Sequence, residues 1–176
     1  MSTDLDRRIA LLLGRRSVRA YQDREVTDDT MRAILRAAMA APSAVARDPW
    51  RFIVVRDKAM LARTAEGLPN GKMLASAGAG LIVCGDMEAA HDHQLSYLLQ
   101  DCSAAVENAL LAVHALGLGA VWLGVHPRED RMKHLRGLFA LPDSIVPVAC
   151  LAIGYPGEKK EPRTRYNEAN VHWERW

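Results

Sequence analysis

The stretch from Asp92 to Gly124, DHQLSYLLQDCSAAVENALLAVHALGLGAVWLG, decides how the chain is built. Leu95, Leu99, Cys102, Val106, Leu110, Val113 and Leu116 recur at helical spacing, so Asp92 to Leu116 reads as one amphipathic helix. At 1.5 Å per residue, about 25 residues span roughly 37 Å, the width of a small domain. A helix of that length either threads the core or packs against a second copy of itself. Gly117 and Gly119 end it, and Ala120 to Val125 follows as a buried strand.

Towards the N-terminus, the spacing predicts two helices before any strand. Thr3 or Asp4 caps the first, which places Leu5, Ile9, Leu12 and Leu13 on one face and stops at Gly14. Thr27 starts the second, with Asp28 and Asp29 in its first turn, where the helix dipole favours acids. That helix buries Met31, Ile34, Leu35 and Ala38, and Pro42 ends it. Trp50 to Val55 reads as a strand, Asp57 to Glu66 as a short helix, and Ala79 to Cys84 as a second strand. Beyond the long helix, Pro127 opens a helix carrying Met132, Leu135 and Leu138. Val146 to Tyr155 is a fourth strand, whose Pro147 suits an edge or strand-entry position. Two leading helices and a long mid-chain helix do not make a doubly wound sheet. The expected class is α+β.

From Pro156 the composition turns polar, yet the chain ends on Val171, His172, Trp173 and Trp176. A segment closing on two tryptophans is built to dock on a surface. Residues 1–176 therefore form one domain, with a core over 1–155 and an arm over 156–176. A chain of 176 residues buries about two thirds of its unfolded surface, enough for a core without disulfides or metal staples. Lys and Arg number 23 against 21 Asp and Glu, too even a balance for a nucleic-acid binder. Cys84, Cys102 and Cys150 lie far apart in apolar runs and suggest neither a disulfide framework nor a metal site. The first residues lack a signal-type apolar run, so the expected location is the cytoplasm, with no membrane span.

The chemistry lies in local charge. In an extended Arg15-Arg16-Ser17-Val18-Arg19, residues 15, 17 and 19 share a side, and four steps span roughly 13 Å. That matches a phosphorylated ribityl chain plus the edge of a flavin ring. Guanidinium groups fit phosphate oxygens, and a hydroxyl between them suits a ribityl oxygen. Taken alone, the same cluster is more often a solvated face. Arg163-Thr164-Arg165 repeats the alternation in the arm. Ala41 to Trp50 is a proline-bracketed loop of small residues, suited either to a simple connection or to close approach of a flat ligand. Gly117 to Gly124 is not a dinucleotide fingerprint, because the third glycine of that motif falls at Trp122. His91 and His93 form no ligand set with any second cluster. Serine-hydrolase, Walker and Cys-x-x-Cys motifs do not occur.

Together these pieces resemble the nitroreductase family of FMN-dependent oxidoreductases. The resemblance rests on Arg15 to Arg19, on Ala41 to Ala44 with Pro49 to Val55, and on Ala105 to Leu111 with Leu116 to Gly124. Gly154-Tyr155-Pro156, Arg163-Thr164-Arg165 and Val171-His172 complete it, in order from about Asp6 to Trp176. It implies a mainly antiparallel sheet flanked by helices, in a homodimer with the long helix at its interface and the arms exchanged between subunits. FMN would lie at that interface. Arg15, Arg16, Arg163 and Arg165 would surround its phosphate, Ser17 its ribityl chain, and Arg19 the pyrimidine edge. Leu123, Gly124 and Val125 would offer backbone groups near the flavin N5, and Pro42, Ser43 and Ala44 would come from the partner. The implied reaction is ping-pong transfer of a hydride from NADH or NADPH to FMN N5, then of electrons to a small acceptor such as a nitroaromatic or quinone. No catalytic side chain and no metal is required.

Ala46 and Asp48 stand where the family usually has Asn and Gln, which bears on substrate choice more than on FMN binding. Asp48 is expected to pair with Arg47 or to depress the flavin potential. Gly85 to Ser96 is brief where larger members insert lid helices, so the pocket is expected to be more open. Asn70 and Lys72 fall near a stretch that touches the flavin in some larger members. Alternatives are a flavin-binding or storage protein with little turnover, or another flavin reduction such as dehalogenation or ene reduction.

Overall fold

A computed structural model describes residues 4–176. Strands β1 (Trp50–Val55), β2 (Ala79–Asp86), β3 (Gly119–Gly124) and β4 (Ile145–Gly154) form one sheet in the order β1-β2-β4-β3. Each neighbouring pair is antiparallel. Helices cover both faces: α3 (Asp28–Ala38) and α5 (Leu95–Ala115) on one, α4 (Lys58–Glu66) and α6 (Glu129–Phe139) on the other. Strand alternation divides the apolar residues between the two layers. Leu81, Val83, Ala149, Leu151 and Ile153 pack under α3 and α5, whereas Ile82, Cys84, Cys150 and Ala152 pack under α4 and α6. The class is α+β, as the element order implied.

β4 corrects the edge expectation. It lies between β2 and β3, and residues 147–154 are all buried. Pro147 faces Cys84, where the β2–β4 register shifts between Val83 and Cys84. A proline lacks a ladder donor, and a local irregularity accommodates it inside a sheet.

α5 holds 21 residues and spans about 31 Å, shorter than the periodicity suggested. Residues 91–93 instead form a 3-10 turn with Asp92 at φ 50°. The buried face runs through Leu98, Cys102, Ala105, Val106, Ala109, Leu110 and Val113, so Leu95 and Leu116 stay exposed. Spacing located the stripe to within one helical position but not which side the sheet covers.

The first helix is also interrupted. Residues 4–8 (α1) and 10–14 (α2) part at Ile9, at φ −104° and ψ 15°, and neither piece buries a residue. Short helices without a covered apolar face gain little from propensity alone. Thr3, the other cap candidate, lies outside the described residues. α3 is capped as expected, with Thr27 Oγ1 accepting from Thr30 N at 3.3 Å. It ends at Ala38, four residues before Pro42, because a turn carries residues 39–41.

The segment after α2 positions the site. Val18 N donates to the Ala120 carbonyl at 2.9 Å, which lays residues 15–19 along β3. A Cβ on Gly119 would come within 2.7 Å of the Val18 side chain, so glycine permits this approach. Tyr21 Oη lies 2.7 Å from Val18 O and 2.9 Å from Ala152 O, and burial pushes its phenol well above the ordinary range. Residues 161–176 are exposed throughout, with Trp173 at 77% and Trp176 fully so. Cys84, Cys102 and Cys150 are buried and free, and desolvation pushes each thiol up to about 12. They act as packing residues, not as thiolates. Among the described residues no helix is long and apolar enough to cross a membrane.

Candidate active site

Arg15, Arg16 and Ser17 meet Arg163, Thr164 and Arg165 around a cavity of about 370 Å³, closed at one side by Leu12 and Leu13. The contact joins residues 147 positions apart: Arg16 Nη1 donates to the Arg163 carbonyl at 3.4 Å. Arg15 Nε sits 3.6 Å from Glu107 Oε1, but Arg16 Nε is buried without a partner among the described residues. Four guanidinium groups around one space repel one another. A phosphate dianion reverses that sign, and its oxygens match the guanidinium forks.

Next along the strand, Arg19 turns into a second cavity of about 590 Å³. Leu68 to Met73 form one wall, Val121 to Gly124 another, and Arg131 a third. A Cβ added to Gly124 would meet nothing within 4 Å, so that backbone is open to a flat ligand. Arg131 Nη1 donates to the Gly124 carbonyl at 2.6 Å. The two cavities lie at opposite ends of residues 15–19, an extended run of roughly 13 Å. A polyanion cradle joined by a hydroxyl-bearing strand to a roomy, glycine-floored cleft fits FMN.

The Nitroreductase family model matches residues 12–68 and 60–155. The chain belongs to the nitroreductase family. It is 45% identical over 171 residues to a protein of Archaeoglobus fulgidus provisionally named NADH dehydrogenase/NAD(P)H nitroreductase, covering 96% of this chain and 98% of that one. A crystal structure from Parabacteroides distasonis, with the same provisional name, has a TM-score of 0.90 and 40% identity, covering 97% and 99% of the two chains. A provisionally named nitroreductase from Desulfovibrio desulfuricans, solved in complex with FMN, has a TM-score of 0.83 and 32% identity, covering 96% of each.

Within this nitroreductase-family chain, Arg15, Arg16, Ser17, Arg163 and Arg165 converge on one cavity, and Arg19, Leu123 and Gly124 on the other. Val125 does not reach the space: it is fully buried in the second core layer and its N–H donates to Val148 O. Asn70 and Lys72 lie in the second cavity. Arg131 lines the same cavity, and no sequence motif marks it. Its signal was a cation in the first turn of α6, where the helix dipole disfavours one.

Pro42, Ser43 and Ala44 line neither cavity of their own chain. Their loop is held internally: Ser43 Oγ donates to Asp48 Oδ1 at 2.5 Å, and Ala44 N donates to the buried Asp101 Oδ1 at 2.9 Å. Asp48 is thus engaged with Ser43 rather than with Arg47. Val45 and Ala46 sit at φ 51° and 53°, strained for residues with a Cβ and held by this bonding.

Glu158, at the root of the arm, braces the backbone that carries Arg19. Its Oε1 accepts from Arg19 N at 2.6 Å and from Ala20 N at 3.3 Å, and its Oε2 pairs with Lys160 at 3.2 Å. The Arg19 N–H is the largest cause holding the carboxyl below the ordinary value of 4.5, with Lys160 adding to it. A carboxylate lowered on folding contributes above its unfolded value and ceases to do so as pH falls through the folded one. Glu158→Ala is expected to weaken FMN affinity about tenfold at pH 7. Glu158→Gln, which keeps an acceptor oxygen, restores most of it. In the flavin-free chain the stability this carboxylate contributes is lost as pH falls from 4.5 through its folded value, and Glu158→Ala shows no such loss. Fluorescence titration of FMN at pH 7 checks the affinities and thermal melts across pH check the stability, and a Lys160→Ala effect as large as that of Glu158→Ala would assign the role to the ion pair instead.

Proposed function

We propose that the protein is an FMN-dependent NAD(P)H oxidoreductase that reduces a small acceptor such as a nitroaromatic or a quinone, and that its working unit is a homodimer. The observation that carries the reading is the convergence of four arginines on one cavity at one end of residues 15–19, with a glycine-floored cleft at the other end. The FMN-bound relative supports it.

Arg15, Arg16, Arg163 and Arg165 hold the phosphate, the Ser17 hydroxyl meets the ribityl chain, and Asn70, Lys72 and the Leu123–Gly124 backbone border the ring. Arg19 lies at the pyrimidine edge, where a fixed cation offsets negative charge that develops on reduction. FMN, when bound, supplies the capacity to take a hydride from the nicotinamide and pass its electrons on. For a quinone, NAD(P)H gives the two electrons and one proton, solvent gives a second proton, and the products are NAD(P)+ and the hydroquinone. Among the described residues of one chain the cleft lining holds no carboxylate or histidine, which suits a second proton supplied by solvent. Donor and acceptor use one cleft in turn, which gives ping-pong kinetics. Pro42, Ser43 and Ala44 reach the site of the partner subunit, and the arm beyond Arg165 crosses the dimer. Three buried, unpaired cysteines suit a reducing cytoplasm.

Absorbance of purified protein tests the reading. The expected result is about one FMN per chain, bleached anaerobically by NADH or NADPH. Protein that is colourless and cannot be reconstituted overturns it.

A further inference from the structure

The second cavity carries a charge imbalance that a flavin phosphate in the first cannot answer. Its lining includes Arg19, Lys72 and Arg131 and no carboxylate. Among the described residues none of the three makes an ion pair. With Arg19 assigned to the pyrimidine edge, Lys72 and Arg131 still face the space. Arg131 is only partly accessible, anchored by one nitrogen at 2.6 Å from the Gly124 carbonyl, and its Nε is buried with no partner among the described residues. Its position in the first turn of α6 works against the helix dipole, so local helix energetics do not explain it. A guanidinium held in this way is preorganised to receive an oxyanion. Leu68, Met73 and Leu123 line the same cavity and suit a flat apolar body beside that charge.

We propose that Arg131, seconded by Lys72, selects acceptors that are aromatic and carry a carboxylate, holding that group while the reducible part of the molecule lies over the cleft floor. The proposal rests on the FMN reading for its chemistry but not for its binding. Arg131 acts here as a specificity-determining residue. The same cations also suit a phosphate of the nucleotide donor, and the experiment separates the two.

Two measurements on the purified full chain decide the matter. In calorimetry without reductant, benzoate is expected to bind at least tenfold more tightly than the uncharged benzamide, and Arg131→Met removes that preference while Arg131→Lys keeps part of it. In turnover at saturating NADH, the ratio of kcat/KM for 4-nitrobenzoate to that for its methyl ester falls at least tenfold in Arg131→Met, and falls in wild type as salt is raised. Lys133→Met, on the same helix but outside this cavity, leaves the ratio unchanged. If Arg131→Met fails to fold for want of its bond to Gly124, Lys72→Met, which makes no such bond, carries the same test with a smaller fall. Wild type with no preference for benzoate overturns the proposal. So does an Arg131→Met variant that keeps the acceptor ratio but loses discrimination between NADPH and NADH, because the cation then serves the nucleotide. Absence of bound FMN overturns the flavin reading and leaves the calorimetric comparison intact.

Discussion

Arg165→Ala is expected to weaken FMN binding between tenfold and a hundredfold, whereas Arg175→Ala, ten residues along the same arm, changes it less than twofold. Arg165 lines the cradle with Arg15, Arg16 and Arg163, and Arg175 lines neither cavity. Losing one charge-assisted bond to phosphate costs about 1.5–3 kcal/mol, which sets the range. The cradle also makes a counter-prediction for the empty protein. Four guanidinium groups around one space repel one another, so removing one relieves the flavin-free chain even as it harms the complex. Melting curves with and without FMN should therefore move in opposite directions: little change or a small rise without it, and a smaller ligand-induced rise with it. Equal FMN retention in the two variants would show that the arm arginines do not hold the phosphate.

Replacing both terminal tryptophans, Trp173→Ser with Trp176→Ser, is expected to weaken self-association by at least a hundredfold while leaving the fold of each chain intact. Trp173 is 77% exposed and Trp176 fully exposed within one chain, so neither contributes to its own core. Covering one such side chain in a partner removes roughly 200 Å² from water, worth up to about 5 kcal/mol, and symmetry doubles the count in a dimer. The variant keeps Arg163 and Arg165, which separates loss of the dimer from loss of the cradle. Sedimentation at several concentrations reads the effect, with circular dichroism as the control for folding. An unchanged dimer would place the subunit contact elsewhere, on α5 or on the exposed Leu5, Ile9 and Leu12 of the first helices.

The site was legible where its signal was local. Arg15, Arg16, Ser17 and Arg19 alternate along an extended run, and Arg163 with Arg165 do the same, so a phosphate-sized charge cluster could be read at each end of the chain. Asn70 and Lys72 lie on a loop and a short turn whose local patterns are ordinary, Arg131 is marked only as a cation in the first turn of its helix, and packing alone turns the three towards one cavity. Val125 shows the converse: its place after Leu123 and Gly124 suggests a site residue, but its N–H is taken by Val148 O and its side chain by the core.

Sequence by itself determined the succession of helices and strands, the α+β class and the two arginine clusters, because periodicity, capping and charge spacing act within a few residues. Tertiary structure decided that β4 runs through the middle of the sheet, that the covered side of α5 passes through Leu98 and Val113 and leaves Leu95 and Leu116 out, and that the first helix breaks at Ile9. It also decided that Arg16 meets Arg163 across 147 positions. Those outcomes depend on which surfaces the folded chain can bury against one another, and no local pattern carries that information.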